Sequence, residues 1–292
     1  MIKFIKIIFG IIIFLVLAVV IFAGVLIGLN WSNKPKKQTF TATKKMSELN
    51  TLTINVDVKD SYVVVKRTKT EYASVTYYGS KTREYECDEN VDSLNNSTIT
   101  VKGYQTGKWY NRILLTLKFT KVYETLVEVP DDANVIIKTD NGNIRFEDVD
   151  ATILTAETNN GAIIMDNVSA NMCGLQTVNG NIEVTGSDTG TFTCKTKKGR
   201  IVLDKLSSLL TIDASTDSGN ITLNKTYATG NFKLHTGKGN ITGIIKLLSA
   251  SYYKITATAK NGTCNIENTS SGIADLIITT DNGNINVELK EV

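Results

Sequence analysis

Eight short stretches decide how this chain folds: 139-TDNGNIRF-146, 158-TNNGAIIM-165, 177-TVNGNIEV-184, 196-TKKGRIVL-203, 216-TDSGNITL-223, 236-TGKGNITG-243, 259-AKNGTCNI-266 and 280-TDNGNINV-287. Their glycines are Gly142, Gly161, Gly180, Gly199, Gly219, Gly239, Gly262 and Gly283, at spacings of 19, 19, 19, 20, 20, 23 and 21 residues. Two positions after each glycine stand Ile144, Ile163, Ile182, Ile201, Ile221, Ile241, Cys264 and Ile285. Five before stand Ile137, Ala156, Leu175, Cys194, Ala214, Leu234, Ala257 and Ile278. Seven before, the column reads Val135, Leu154, Cys173, Phe192, Ile212, Phe232, Ile255 and Leu276. The positions between are polar, such as Arg145, Glu183, Lys195 and Ser215.

Apolar residues at period two mark strands buried on one face, because successive side chains point to opposite sides. Each unit therefore reads as strand, glycine turn, strand and second turn. A single unit cannot bury its apolar face, whereas stacked copies can. The predicted architecture is all-β, a β-solenoid of eight rungs stacked in chain order, roughly 40 Å long at about 4.8 Å per rung. Hairpins packed as a sandwich would also alternate, but would not need one residue type in the same column throughout. The threonine three before most of the glycines faces inward at the corner by parity, where its hydroxyl can bond a turn backbone group. The asparagine after the glycine (Asn143, Asn181, Asn220, Asn240, Asn284) suggests a partial amide ladder. Residues 51–133 carry further alternating segments, TLTINVDV, SYVVVKRT and YASVTYYG among them, and read as a less regular N-terminal part of the same body before the regular repeats of 134–292.

At the other end, no residue between Ile7 and Asn33 is charged, and Ile7–Leu29 is almost wholly apolar. Twenty-three helical residues at about 1.5 Å each reach about 35 Å, enough to cross a hydrocarbon core of roughly 30 Å. A cleaved signal peptide would have a shorter apolar region and a small-residue cleavage site. The expected organisation is therefore a tail over 1–6, a transmembrane helix over 7–29 with Trp31 at the interface, and a Lys-rich juxtamembrane linker over 30–50. Lys3 and Lys6 favour a cytoplasmic N-terminus and an extracytoplasmic C-terminal domain at the cell membrane; Lys34, Lys36 and Lys37 count the other way.

Charge narrows the function classes. The chain has 292 residues and a net charge of +3, but residues 1–37 hold five lysines and no acid, leaving 27 basic against 29 acidic side chains elsewhere. A folded part so near neutrality lacks the basic face of a nucleic-acid binder. One histidine, His235, argues against His-dependent triads and multi-His metal centres, and it reads as a surface residue beside Lys233. Cys173, Cys194 and Cys264 fall in apolar columns and read as core filler. Cys173 and Cys194 lie on adjacent rungs but two residues out of register, about 8 Å apart, too far for a disulfide. Cys87 is remote in sequence, and there is no C-x-x-C. Asp140, Asp217 and Asp281 share a turn column with Asn159, Val178, Lys197, Gly237 and Lys260, so no acidic ladder arises for Ca²⁺. Sequons such as Asn220-Ile-Thr follow from a repeat rich in Asn and Thr. The sequence thus nominates no catalytic, cofactor-binding or metal-ligating residue.

The recurrence T-x-N-G-x-I-x-V, preceded by VEVP at 127–130 and the less regular β segment, resembles the bacterial putative-adhesin domains of the cell envelope over about residues 50–292. That resemblance implies a membrane-anchored or exported, non-enzymatic binding module of uncharacterised function. Partners consistent with it are a surface glycan, a peptide or a membrane protein. A sensor or accessory subunit coupled to a membrane regulator is the alternative, and Gly24-Val-Leu-Ile-Gly28 has the spacing of a close helix contact.

Overall fold

The computed structural model describes residues 35–80, 83–105 and 124–291, with Leu17, Val19, Val20, Ile21 and Gly24, all five helical. The rest of the expected membrane span over 7–29 lies outside the described residues, and no helix among the described residues is long and apolar enough to cross a membrane.

Each regular repeat folds as a leading strand, a glycine corner and a shorter trailing strand. The leading strands are β8 (Ala133–Thr139), β10 (Asp150–Thr158), β12 (Ser169–Thr177), β14 (Asp188–Lys198), β16 (Ser207–Ser218) and β18 (Asn231–Lys238). The trailing strands are β9 (Ile144–Glu147), β11 (Ile163–Asp166), β13 (Ile182–Thr185), β15 (Ile201–Asp204), β17 (Ile221–Ala228) and β19 (Ile241–Leu247). Leading strands pair in parallel with leading strands and trailing with trailing, so one column runs Ile137, Ala156, Leu175, Cys194, Ala214, Leu234 from rung to rung. The apolar columns of both sheets face each other, and Phe146, Phe192 and Phe232 are fully buried between them. At roughly 25 cal/mol per Å² of apolar surface removed from water, this continuous core is the main stabilising term.

The stack departs from chain order at both ends. Near the N-terminus, β2 (Thr51–Val58) and β3 (Tyr62–Arg67) form a rung that wedges between β8/β9 on one side and β6 (Asn96–Gln105) and β7 (Glu124–Val129) on the other. That end is closed by antiparallel strands: β5 (Arg83–Val91) on β6, β4 (Ser74–Gly79) on β7, and β1 (Lys36–Thr41) on β4. Part of the Lys-rich stretch expected to be linker is thus a sheet strand. At the far end, β18 and β19 pair with β21 (Ala274–Asn282) and β22 (Ile285–Glu291), the eighth repeat, while β20 (Tyr253–Asn261), the seventh, lies outside them on β21. The expectation of eight rungs in sequence order is therefore corrected. The physical reason sits after Gly262. There the trailing strand is reduced to a single bridge, Cys264 to Ile285. The chain then folds back so that Thr269 Oγ1 accepts the Ile255 N–H at 2.8 Å and Asn268 Oδ1 accepts that of Ala257 at 2.6 Å. A rung whose edge amides are taken this way is a terminus, as an exposed sheet edge requires. Cys264 is exposed rather than core, a second correction.

The corner threonines behave as their parity predicts. Thr158, Thr177, Thr196, Thr216 and Thr236 donate Oγ1–H to the carbonyls of Gly142, Gly161, Gly180, Gly199 and Gly219, one rung back, at 2.8–3.0 Å. The ladder after the glycine is not amide to amide. Asn143, Asn181, Asn220 and Asn240 instead accept backbone N–H groups of Ala162, Arg200, Asn240 and Asn284. An amide ladder does run one column before the glycine: Asn160 Nδ2 donates to Asn141 Oδ1 at 2.7 Å and Asn179 Nδ2 to Asn160 Oδ1 at 2.8 Å. The second turn is a column of left-handed residues, Asp148, Asn167, Gly186, Lys205 and Lys225, with φ of 53°, 52°, 55°, 51° and 52°.

Candidate functional site

On the leading-strand sheet, the residues that alternate with the core columns form an outer face. One column reads Thr155, Gly174, Thr193, Asp213, Lys233, and the next Glu157, Gln176, Lys195, Ser215, His235. Gly174 is the only position in the first of these without a side chain. Its absence leaves an open groove of about 520 Å³ across the middle rungs, floored by Gly174 and walled by polar and charged groups.

The groove's charges are balanced along its length. Lys233 lies 3.7 Å from Asp213, and Glu157 is 3.0 Å from Lys138 at the groove's far end. The Thr193 hydroxyl donates to the Cys173 carbonyl at 3.4 Å. His235 is half-buried, with Nδ1 2.9 Å from Thr279 Oγ1 of the next rung. It therefore belongs to the wall rather than standing alone on the surface. Lys195 and Gln176 have no side-chain partner among the described residues, and they offer a cation and an amide to whatever enters. Open shape, hydroxyls, an amide and paired charges suit an extended polar molecule lying across strands, not a small reactant sealed from water.

Other clusters carry structural rather than chemical work. Among the described residues no three His, Cys, Asp or Glu side chains converge as a metal site would require. Cys173 and Cys194 are unpaired and buried, and offset in register by two residues, with Cys173 opposite Phe192 and Cys194 opposite Leu175. Burial pushes both thiols up, which suppresses the thiolate that reactivity needs. Cys87 is half-buried beside Tyr77, and burial raises its thiol as well. Tyr77, stacked on Tyr85 with ring centroids 4.4 Å apart, is pushed up to about 12, chiefly by burial. On the trailing-strand sheet, Glu147 takes hydrogen bonds from Lys66 at 2.7 Å and from Arg145, and these hold its carboxyl below the usual range. Asp140 pairs with Lys59 at 3.1 Å, so one member of the acidic turn column is already neutralised by a neighbour on the adjacent rung.

The sequence profile of the Toastrack DUF4097 family matches residues 51–288, which takes in the irregular N-terminal rungs, the regular array and the inverted C-terminal end. The chain belongs to the Toastrack DUF4097 family. Solved structures with similar form include a putative adhesin from Bacteroides fragilis (14% identity, 87% of this chain and 97% of that one, TM-score 0.48). Others are a putative adhesin from Parabacteroides distasonis (13%, 86% and 97%, TM-score 0.39) and a putative cell adhesion protein from Clostridium sporogenes (11%, 88% and 100%, TM-score 0.31). No curated protein matches the chain. Family membership accounts for the Toastrack β body.

Only part of this site was visible in the sequence. Gly174 interrupts an outward column of Thr, Asp and Lys, and that interruption was the available signal. The side chains around it come from five leading strands spread over residues 155–235, and only the in-register stacking brings them together.

Proposed function

We propose that this Toastrack protein is a non-enzymatic binding module of the bacterial cell envelope, anchored by its apolar segment over 7–29. It lays the groove at Gly174 against an extended polar ligand such as a surface glycan. The observation that carries this reading is the groove itself. It runs across rungs, is open along its length, and is lined by hydroxyl, amide and ionic groups alongside Ala156, Leu175 and Cys194. The adhesin-like character of the family is consistent with it.

The test uses a substitution whose Cβ the site tolerates sterically. A Cβ at Gly174 would meet only Thr193 Oγ1, at 3.6 Å, which is an ordinary contact. Gly174→Phe therefore projects a ring toward the groove from a Cβ position that no backbone atom obstructs. Peptidoglycan fragments, teichoic acids and cationic peptides are screened against the full chain. Saturable binding to one of them, lost in Gly174→Phe with an unchanged melting temperature, is the expected result. Binding indifferent to the filled groove would refute the assignment. The alternative, a sensor or accessory subunit working through its helix, is separated by Gly24→Ile with Gly28→Ile. A binding module keeps its ligand after that change, whereas a helix-coupled sensor loses its output.

A further inference from the structure

The first residues of β10, β12, β14 and β16, with the last residues of β17 and β19, form a short third side of the rod. Its middle column reads Asp150, Ser169, Asp188, Ser207, Tyr227, Lys246, each paired in register with the next. The left-handed corner beside it reads Asp148, Asn167, Gly186, Lys205, Lys225. One face of one rod thus changes from acidic to basic along its length.

The opposite corner of that face changes with it. Between Thr189↔Ser208 and Thr191↔Thr211, Leu209 and Leu210 stand against the single residue Gly190, a bulge that turns both leucines outward. They are 68% and 62% exposed. The bulge is built rather than loose. Ser208 Oγ lies 2.9 Å from both the Gly190 and Thr211 carbonyls, its single proton serving one at a time, and the Thr229 hydroxyl donates to the Leu209 carbonyl. Leu248 and Ile273, 47% and 84% exposed, follow at the same corner toward the C-terminal end. A soluble surface scatters exposed leucines singly. Here they gather beside Lys205, Lys225 and Lys246, none of which has an ion-pair partner among the described residues. Of the carboxylates nearby, Asp204 accepts from Asn224 Nδ2 at 2.6 Å and Glu291 from the Ala250 N–H at 2.9 Å, both keeping their charge, and the Asp275 carboxylate has no side-chain partner among the described residues.

We propose that this basic, leucine-bearing third side, in the C-terminal half of the rod, docks on an anionic lipid surface. Leucines enter the headgroup boundary, Tyr227 sits at its polar level, and the three lysines meet lipid phosphates at roughly 1 kcal/mol each. The other half of the same face carries Asp148 and Asp188, with Asp150 paired to Arg67 at 3.7 Å, and the two unpaired acids are repelled by such a surface, so contact is confined to one end. This face is separate from the groove at Gly174, which stays accessible when the third side is against lipid.

The test places a tryptophan at the bulge. Full-length Leu210→Trp, and separately Leu248→Trp, are put into vesicles of phosphatidylcholine with and without phosphatidylglycerol, with brominated acyl chains as quencher. Thr222→Trp, on the outer face of the trailing-strand sheet, supplies the background from Trp31 and Trp109. The expected result is blue-shifted, quenched emission from both edge positions in anionic vesicles only, reversed by high salt. Lys205→Gln with Lys225→Gln and Lys246→Gln should lower the docked-to-undocked ratio on the order of 100-fold. Edge emission no more quenched than Thr222→Trp overturns the proposal. So does a dimer in detergent that the lysine substitutions dissolve, because the face would then belong to a second copy. Flotation of the same samples reports the anchor separately: a chain that floats yet stays unquenched keeps the anchor and loses the docking.

Discussion

Gly180→Ala should loosen the middle of the rod far more than its single methyl suggests. A Cβ built at Gly180 falls 1.9 Å from the Gly161 carbonyl oxygen, 2.5 Å from that carbonyl carbon and 2.9 Å from Thr177 Oγ1. An unstrained carbon-to-carbonyl approach is about 3.3 Å, so the two corners must part locally by roughly 1.4 Å. That movement breaks the bond by which Thr177 Oγ1–H satisfies the Gly161 carbonyl at 2.9 Å. A buried carbonyl left unpaired costs about 1–3 kcal/mol. Forcing backbone apart in a packed interior adds about 1–3 kcal/mol. Stiffening the unfolded chain returns about 0.4–1 kcal/mol. The net expectation is a loss of about 3 kcal/mol, or roughly 6–12 °C in melting temperature for a domain of this size. The internal control lies on the same rung: Gly174→Ala meets only Thr193 Oγ1 at 3.6 Å and should be nearly neutral. Both are read by equilibrium urea unfolding followed by circular dichroism, with the slope checked because repeat arrays can lose cooperativity. If Gly180→Ala and Gly174→Ala unfold within about 0.5 kcal/mol of each other, the corner geometry argued above is wrong.

Three further outcomes follow from the same packing. Lys205 holds a left-handed conformation at φ 51°, so Lys205→Gly should stabilise by about 1 kcal/mol despite the added freedom of the unfolded chain, measured by the urea midpoint. Glu147 has a lowered folded pKa from its hydrogen bonds to Lys66 and Arg145, so its stabilisation is present above the unfolded value near 4.5 and is lost as pH falls through the folded one. With its side chain 26% exposed, the contribution is at most about 1 kcal/mol, and the stability gap between the parent and Glu147→Gln should hold above about pH 4.5 and narrow as pH falls below it. A thiol reagent at pH 8 should label exposed Cys264 at once and Cys87 slowly, while buried Cys173 and Cys194 react only in denaturant; rapid labelling of either buried thiol in the native state would contradict the core packing.

How far the sequence reveals this fold depends on whether a feature repeats. The inward columns from Val135 to Ile285 are written many times over, and period-two apolarity leaves little freedom in which side is buried. The corner threonines follow from the same parity. What does not repeat is not legible. The wedge of β2 and β3 between β6/β7 and β8/β9 depends on pairings 45 to 81 residues apart, such as Thr51 with Asn96 and Thr53 with Asn134. No local pattern encodes them. The inversion at the C-terminal end turns on Asn268 and Thr269 capping the edge of β20, two residues with no column of their own. Lys205 and Lys225 hid the second-turn column, because Lys is not a residue that signals a left-handed corner.

The glycine corner and the groove make opposite demands on the same residue type, and this separates structure from function in the rod. At Gly142, Gly161, Gly180 and Gly199 a carbonyl of the preceding rung fills the Cβ position at 1.7–1.9 Å, so glycine there is a condition of stacking. At Gly174 the Cβ position is almost empty and the backbone is extended within β12, so nothing in the fold requires glycine. A strand interior gives up about 0.5–1 kcal/mol by holding glycine in place of alanine. A glycine that stacking does not demand, set at the floor of the groove, is therefore the position where the proposed binding role and the fold can be tested apart.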